Sequence, residues 1–135
     1  MKNVLILCTG NSCRSIIAEA LINQRLAPEI RAWSSGVAAS GHVHPMSLKI
    51  LENKGVPIEG LNSKTLDKVM RIPFDLVVTV CDNARENCPI FPGKVPVIHV
   101  GLADPVGQGI AAFEKTFDDV EHKVIPAVLE ALKIA

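Results

Sequence analysis

The sequence predicts an α/β fold of three layers, an open four-stranded parallel sheet with helices on both faces, and three observations carry that prediction. VLIL at 4–7 and LVVTV at 76–80 are aliphatic or β-branched without polar alternation, the pattern of parallel strands covered on both sides. Stretches with apolar residues at helical spacing lie between the candidate strands, and such alternation with helix-length crossovers builds parallel sheets. Cys8, Cys81 and Asp104 each fall just beyond a predicted strand. Open sheets of this kind bind ligands beyond the carboxyl ends of their strands, so these three residues are expected on one rim.

Taken in order, Val4 to Leu7 is the first strand. Ile16, Ile17, Ala20 and Leu21 then recur at helical spacing, with Ser15 placed to cap the helix start. A short second strand through Ile30 to Trp33 is ended by Ser34, Ser35 and Gly36. A helix follows Pro45, whose fixed φ suits a first turn; it presents Leu48, Ile50 and Leu51 and stops at Gly55. The third strand, DLVVTV at 75–80, runs into Cys81. In the segment that follows, Asp82 is a candidate cap and Ala84, Arg85 and Glu86 are helix formers, which predicts a short helix ended by Pro89. Pro96 to Val100 is a fourth, shorter strand, and the stretch from about Ala112 to Leu132 is helical, bent or interrupted at Pro126. No repeat, low-complexity tract or linker divides the chain, so residues 1–135 are expected to form one domain, long enough to bury a core without disulfide staples.

Lys and Arg total 14, as do Asp and Glu, so no net field favours nucleic acid or an anionic membrane as partner. Any anion must be caught by a local arrangement. The opening MKNVLILC has one lysine before a short apolar run broken by Cys8, far short of a secretory signal or a membrane span, and the expected location is the cytoplasm. In that reducing compartment the four cysteines suit catalysis or redox cycling better than a structural disulfide set.

The stretch CTGNSCRS, residues 8–15, joins the first strand to the first helix. Its spacing lets the backbone N–H groups of Thr9, Gly10, Asn11, Ser12 and Cys13 point into one concavity at a helix N-terminus, a site for a tetrahedral oxyanion. Gly10 relaxes the backbone, and Asn11 tolerates a left-handed conformation and can brace the loop with its side chain. Arg14 supplies a fork of donors that matches two oxyanion oxygens. Amides and guanidinium together favour thiolate over thiol at Cys8, leaving a nucleophile aimed at the bound anion. Ser15 can donate a hydrogen bond to that thiolate, which helps when the sulfur must leave again. Cys13 sits inside the same tight loop and reads as a small buried side chain. A zinc site made from all four cysteines is disfavoured, because four and six residues separate the pairs and structural zinc sites have shorter gaps. None of His42, His44, His99 and His122 has a pattern that points to metal binding or catalysis.

The segment CTGNSCRS, with five residues between Cys8 and Arg14 near the N-terminus, resembles the signature loop of the low-molecular-weight protein tyrosine phosphatase family. The later ADP, Ala103 to Pro105, matches the place of that fold's general-acid aspartate. VVTVCDNARENCP, residues 77–89, resembles the redox segment of thioredoxin-coupled arsenate reductases, which share the phosphatase fold and add two cysteines there. The resemblance spans nearly the whole chain. It implies a low-molecular-weight phosphatase-like fold and reduction of arsenate to arsenite by Cys8, Cys81 and Cys88, with Asp104 assisting departure of hydroxide. It also implies phosphate as competing oxyanion, thioredoxin as reductant, and neither metal nor organic cofactor. Ordinary phosphatases of this fold usually place an aromatic residue after the aspartate and proline; here Val106 follows, and the chain has no tyrosine. A phosphatase and a phosphocysteine carrier stay open as alternatives. In some arsenate reductases of this type a potassium ion lies between the loop asparagine, a helix glutamate and an acidic residue. Asn11 and Glu19 match the first two, while Lys64 stands at the acidic position, where its ammonium can brace the loop or be solvated.

A prediction follows from the spacing of the last two cysteines. Seven residues of helix separate their Cα atoms by roughly 10 Å, whereas a disulfide needs Cα atoms within about 7 Å. A Cys81–Cys88 bond therefore requires residues 82–87 to unwind and loop outward. Hydrogen exchange of reduced and arsenate-oxidised protein should show protection falling across 82–88 while the strand at 75–80 stays protected; unchanged exchange with the bond confirmed by mass mapping would refute the unwinding.

Overall fold

The computed structural model describes residues 1–133. Strands β1 (Lys2–Cys8), β2 (Ile30–Gly36), β3 (Leu76–Thr79) and β4 (Val97–His99) form one parallel sheet in the order β2-β1-β3-β4. Helices α1 (Arg14–Leu26), α2 (Pro45–Asn53), α3 (Asp82–Glu86), α4 (Ile110–Asp119) and α5 (Ile125–Ala131) fill the connections and the C-terminal segment. Val4, Ile6 and Val78 join one buried cluster with Ile17 and Leu21 of α1, Ile50 and Leu51 of α2, and Phe113 and Phe117 of α4. Leu5 and Val77 point the other way, into a smaller cluster with Val69, Phe74 and Phe91. The aliphatic runs lack alternation because both faces of β1 and β3 are covered.

Several boundaries differ from those the sequence suggests. Strand β1 begins at Lys2 and β2 continues through Ser34, Ser35 and Gly36, because the ladder pairs Lys2 with Ile30 and runs without a break to Cys8 opposite Gly36. The small polar residues taken as a strand terminator are fully buried strand residues. Strands β3 and β4 are each shorter at both ends than the apolar runs. Helix α1 starts at Arg14 with Cys13 at the cap position and no side-chain cap, so Ser15 lies inside the helix and does not cap it. Its hydroxyl turns to Cys8 instead.

In α3 the cap is Cys81, whose Sγ accepts from the Ala84 N–H at 3.4 Å, and not Asp82. The Asp82 carboxylate instead stands 3.4 Å from both the His99 imidazole and the Arg85 guanidinium. The helix ends at Glu86, which leaves Cys88 outside it. The C-terminal helix is interrupted just before Pro126, by a π turn over Val120–Val124. A proline ring collides with the carbonyl four residues back, and the wider turn makes room for it.

Among the described residues Ser35 Oγ is buried without a hydrogen-bond partner, and a buried unpaired hydroxyl costs about 1–3 kcal/mol. Ser35→Ala removes that group for the loss of one small atom. Urea unfolding should show the variant more stable than the parent by about 1 kcal/mol; equal or lower stability would mean that the hydroxyl is satisfied in solution.

Candidate functional site at the carboxyl ends of the strands

The loop from Cys8 to Arg14 is shaped by what holds its carbonyls. The Cys8, Thr9, Gly10 and Ser12 carbonyls accept from the backbone N–H groups of Val37, Ala38, Ser40 and His44 at 2.9–3.1 Å. The Gly10 and Ser12 carbonyls also accept from the hydroxyls of Ser63 at 3.0 Å and Ser47 at 2.9 Å. Backbone acceptors thus face the protein, and the amides are left to line a concavity of about 180 Å³ bounded by residues 8–14, Asp104 and Val106. Gly36 permits this close approach, since a Cβ there would run into the Thr9 carbonyl oxygen and come within 3.1 Å of the Asn11 nitrogen.

Asn11 sits at φ 50°, the left-handed region, and is wholly buried. Its Oδ1 accepts from Lys64 N at 2.8 Å, and its Nδ2 donates to Ser15 Oγ at 2.8 Å and Ser34 Oγ at 3.0 Å. Ser15 Oγ lies 2.8 Å from Cys8 Sγ. An amide nitrogen can only donate, so Ser15 accepts from Asn11 and keeps its own proton for the sulfur. The Asn11 backbone N–H reaches the same sulfur at 3.3 Å. Ser34 in turn donates to Glu19, whose carboxylate stands 3.6 Å from the Lys64 ammonium. Burial pushes the Glu19 carboxyl above its usual range, opposed by the Lys64 charge and the Ser34 hydroxyl. Lys64 is therefore a largely buried, paired ammonium under the loop and not a solvated one.

Cys81 follows β3 and is brought to the loop: its Sγ is 3.2 Å from Thr9 Oγ1. Cys88 lies beyond α3, half-buried, with its Sγ 3.6 Å from the Pro89 carbonyl, and burial raises its thiol above the ordinary value. Arg14 donates one guanidinium N–H to the Leu102 carbonyl at 3.2 Å and faces the concavity with the rest of the fork. Asp104 lines the same concavity; one carboxylate oxygen accepts from the Val106 N–H at 3.1 Å, which caps the turn at Pro105. Cys8, Cys81 and Asp104 thus share one rim, whereas Cys88 sits one helix away from it.

Cys13 is buried, and desolvation raises its thiol despite hydrogen bonds from Ser12 and Ser47. His44 caps α2 by accepting from the Met46 N–H and packs 4.9 Å from the Phe113 ring. His99 bonds Thr79 Oγ1 at 2.8 Å. Among the described residues no group of three or more His, Cys, Asp and Glu side chains is placed to hold a metal ion. The outer clamp, Val37 to Ser47 with Ser34, Gly36 and Ser63, is what reasoning from motifs missed. The serine and glycine enrichment of 34–41 was its signal, legible as a strand end and a loop.

The chain matches the family model described as low molecular weight phosphotyrosine protein phosphatase over residues 3–134. It is 37% identical over 123 residues to Arsenate reductase 2 of Staphylococcus haemolyticus, covering 91% of this chain and 93% of that one. Its structure resembles that of an arsenate reductase from Archaeoglobus fulgidus, with a TM-score of 0.78 and 30% identity over 93% of this chain and 98% of the other. It also resembles a thioredoxin-dependent arsenate reductase of Corynebacterium glutamicum, with a TM-score of 0.71 and 28% identity over 96% of this chain and 63% of the other.

These environments set two of the four thiols apart. A raised thiol stays protonated over a wider pH range, so Cys13 and Cys88 should gain reactivity only at higher pH than an ordinary cysteine. Iodoacetamide near neutral pH should modify Cys8 first, and inorganic phosphate should protect it by filling the loop. Peptide mapping that finds Cys13 modified first in the folded protein would overturn the assignment of roles within the loop.

Proposed function

Because the chain belongs to the low molecular weight phosphotyrosine protein phosphatase family, we propose that it uses this family's oxyanion loop to reduce arsenate to arsenite. The observation that carries the proposal is Cys81, held by Thr9 against the loop that begins at Cys8, with a third thiol one short helix away. A phosphatase has no use for that pair, and the similarity to arsenate reductases covers nine-tenths of the chain.

The geometry supports the following sequence. Arsenate, a tetrahedral anion, is held by the loop amides and Arg14. The Cys8 thiolate attacks arsenic, forming an S–As bond, and one hydroxide departs as water with a proton from Asp104, on the concavity's edge. The Cys81 thiolate then attacks Cys8 Sγ. The S–As bond breaks with its electron pair going to arsenic, which leaves as arsenite(III) and takes protons from solvent, while a Cys8–Cys81 disulfide forms. The two thiols lose the two electrons that arsenic gains. The Cys88 thiolate attacks Cys81 Sγ, releases Cys8 as thiolate through the hydrogen bond from Ser15, and leaves a Cys81–Cys88 disulfide further from the loop. An external dithiol protein closes the cycle. Thioredoxin fits that role, since a structural relative depends on it. Such a cycle belongs in the cytoplasm, and among the described residues no helix is long and apolar enough to cross a membrane.

Phosphate has nearly the shape and charge of arsenate, so the loop and Asp104 should also hydrolyse an activated aryl phosphate slowly. Arsenate added in stoichiometric amount without reductant should remove two thiols per chain. Cys88→Ser should keep the hydrolysis and lose multiple-turnover reduction with thioredoxin. Loss of no thiols would refute the reductase, and equal loss of both activities would show that Cys88 serves folding.

A further inference from the structure

Among the described residues, two chains of the form amide, hydroxyl, sulfur occur. The first is Asn11, Ser15 and Cys8, inside the oxyanion loop. The second crosses between elements: Asn83 of α3 donates through Nδ2 to Thr9 Oγ1 at 3.0 Å, and Thr9 Oγ1 lies 3.2 Å from Cys81 Sγ. The same logic of donors applies. Asn83 Nδ2 can only donate, so Thr9 gives a lone pair to Asn83 and keeps its proton for the sulfur. The Asn83 amide cannot turn over freely, because Asn87 Nδ2 donates to Asn83 Oδ1 at 2.9 Å and to the Asn83 carbonyl at 2.8 Å. With Oδ1 occupied, Nδ2 faces Thr9.

We propose that Asn83 is a positioning residue for Cys81: acting through Thr9, it keeps a hydroxyl proton aimed at the Cys81 sulfur, and Asn87 locks that orientation from the residue before Cys88. The inference deepens the reductase reading by saying how the two outer cysteines are told apart. Cys81 faces two donors, the Thr9 hydroxyl and the Ala84 N–H. Cys88 faces a carbonyl, an acceptor that favours the protonated thiol. Donors stabilise a thiolate, so Cys81 is the thiol made ready. If formation of the Cys81–Cys88 bond unwinds α3 as expected from the spacing, Asn87 is carried away and the Asn83 amide is released. Support at Cys81 is then withdrawn at the stage where its sulfur becomes the target and is no longer the nucleophile.

The test reads thiol reactivity. Asn83→Asp offers only acceptors at neutral pH and would draw the Thr9 proton off the sulfur, whereas Asn83→Ala leaves the hydroxyl free to choose. The rate of iodoacetamide alkylation at Cys81, followed by peptide mass spectrometry at fixed pH, should fall roughly three- to tenfold in Asn83→Asp, the size of one ordinary net hydrogen bond. It should fall less in Asn83→Ala and in Asn87→Ala. With Thr9→Val in the background, most of the Asn83→Asp effect should vanish. Equal slowing with and without the Thr9 hydroxyl would mean that the new carboxylate acts through space, and equal slowing by Asp and Ala would mean that Asn83 only supports the helix; either result overturns the proposal, as does no slowing at all. Since arsenate is absent from the assay, a chain that failed to reduce arsenate would refute the reductase reading without touching this result.

Discussion

The rim depends on one constraint: the carbonyls of Cys8, Thr9, Gly10 and Ser12 must be satisfied from outside the loop so that its amides can face inward. A buried peptide carbonyl without a partner costs as much as a lost hydrogen bond. The segment Val37–His44 and the Ser47 and Ser63 hydroxyls supply those partners. Asn11 performs the same office from within, with its amide satisfied on three sides by Lys64, Ser15 and Ser34. Remove the clamp, and the backbone has no reason to prefer a concavity to an ordinary strand-to-helix turn. The left-handed Asn11 and the bare Cα of Gly36 are the local terms on which the arrangement is admitted.

Chemistry at the rim is then set by what surrounds each sulfur and not by the charge of the whole molecule, which is zero. Cys8 is given donors by Ser15 and Asn11, Cys81 by Thr9 and Ala84. Cys13 and Cys88 are disfavoured as thiolates by burial. Four residues of one type thereby receive different surroundings from neighbours within a few ångströms. Glu19 and Lys64 follow the same rule, since each would be unfavourable buried alone and they are placed face to face beneath the loop.

The sheet and its rim were legible because β1 and β3 are buried on both faces, and continuous aliphatic runs are the direct result. The tight, braced turn from Cys8 to Arg14 was legible because each of its residue types has one plain local use. Boundaries were less so. Ser34, Ser35 and Gly36 look like a terminator, but ladder pairing with Ile6, Leu7 and Cys8 carries the strand through them. Ser15 and Asp82 look like caps by residue type, yet in both places a cysteine takes the position, and the polar side chain is drawn to a partner distant in the fold or across the loop. Local propensity cannot report such partners. The clamp over 37–47 escaped for the same reason, because its function lies in backbone N–H groups that any residue but proline would supply.

The strand order β2-β1-β3-β4 has a consequence for biosynthesis. Of the four strands the first made becomes an interior strand, so Cys8 emerges before the other rim residues but stays unclamped until the segment ending at Lys64 has emerged. Cys81, Cys88 and Asp104 arrive later still. A nascent chain paused after Lys64 would carry Cys8 and the buried Cys13 with the clamped loop, and neither Cys81 nor Cys88. The interval between the emergence of Lys64 and that of Cys81 is thus the one in which the folding chain holds a finished loop without the thiols that neighbour it in the native sheet.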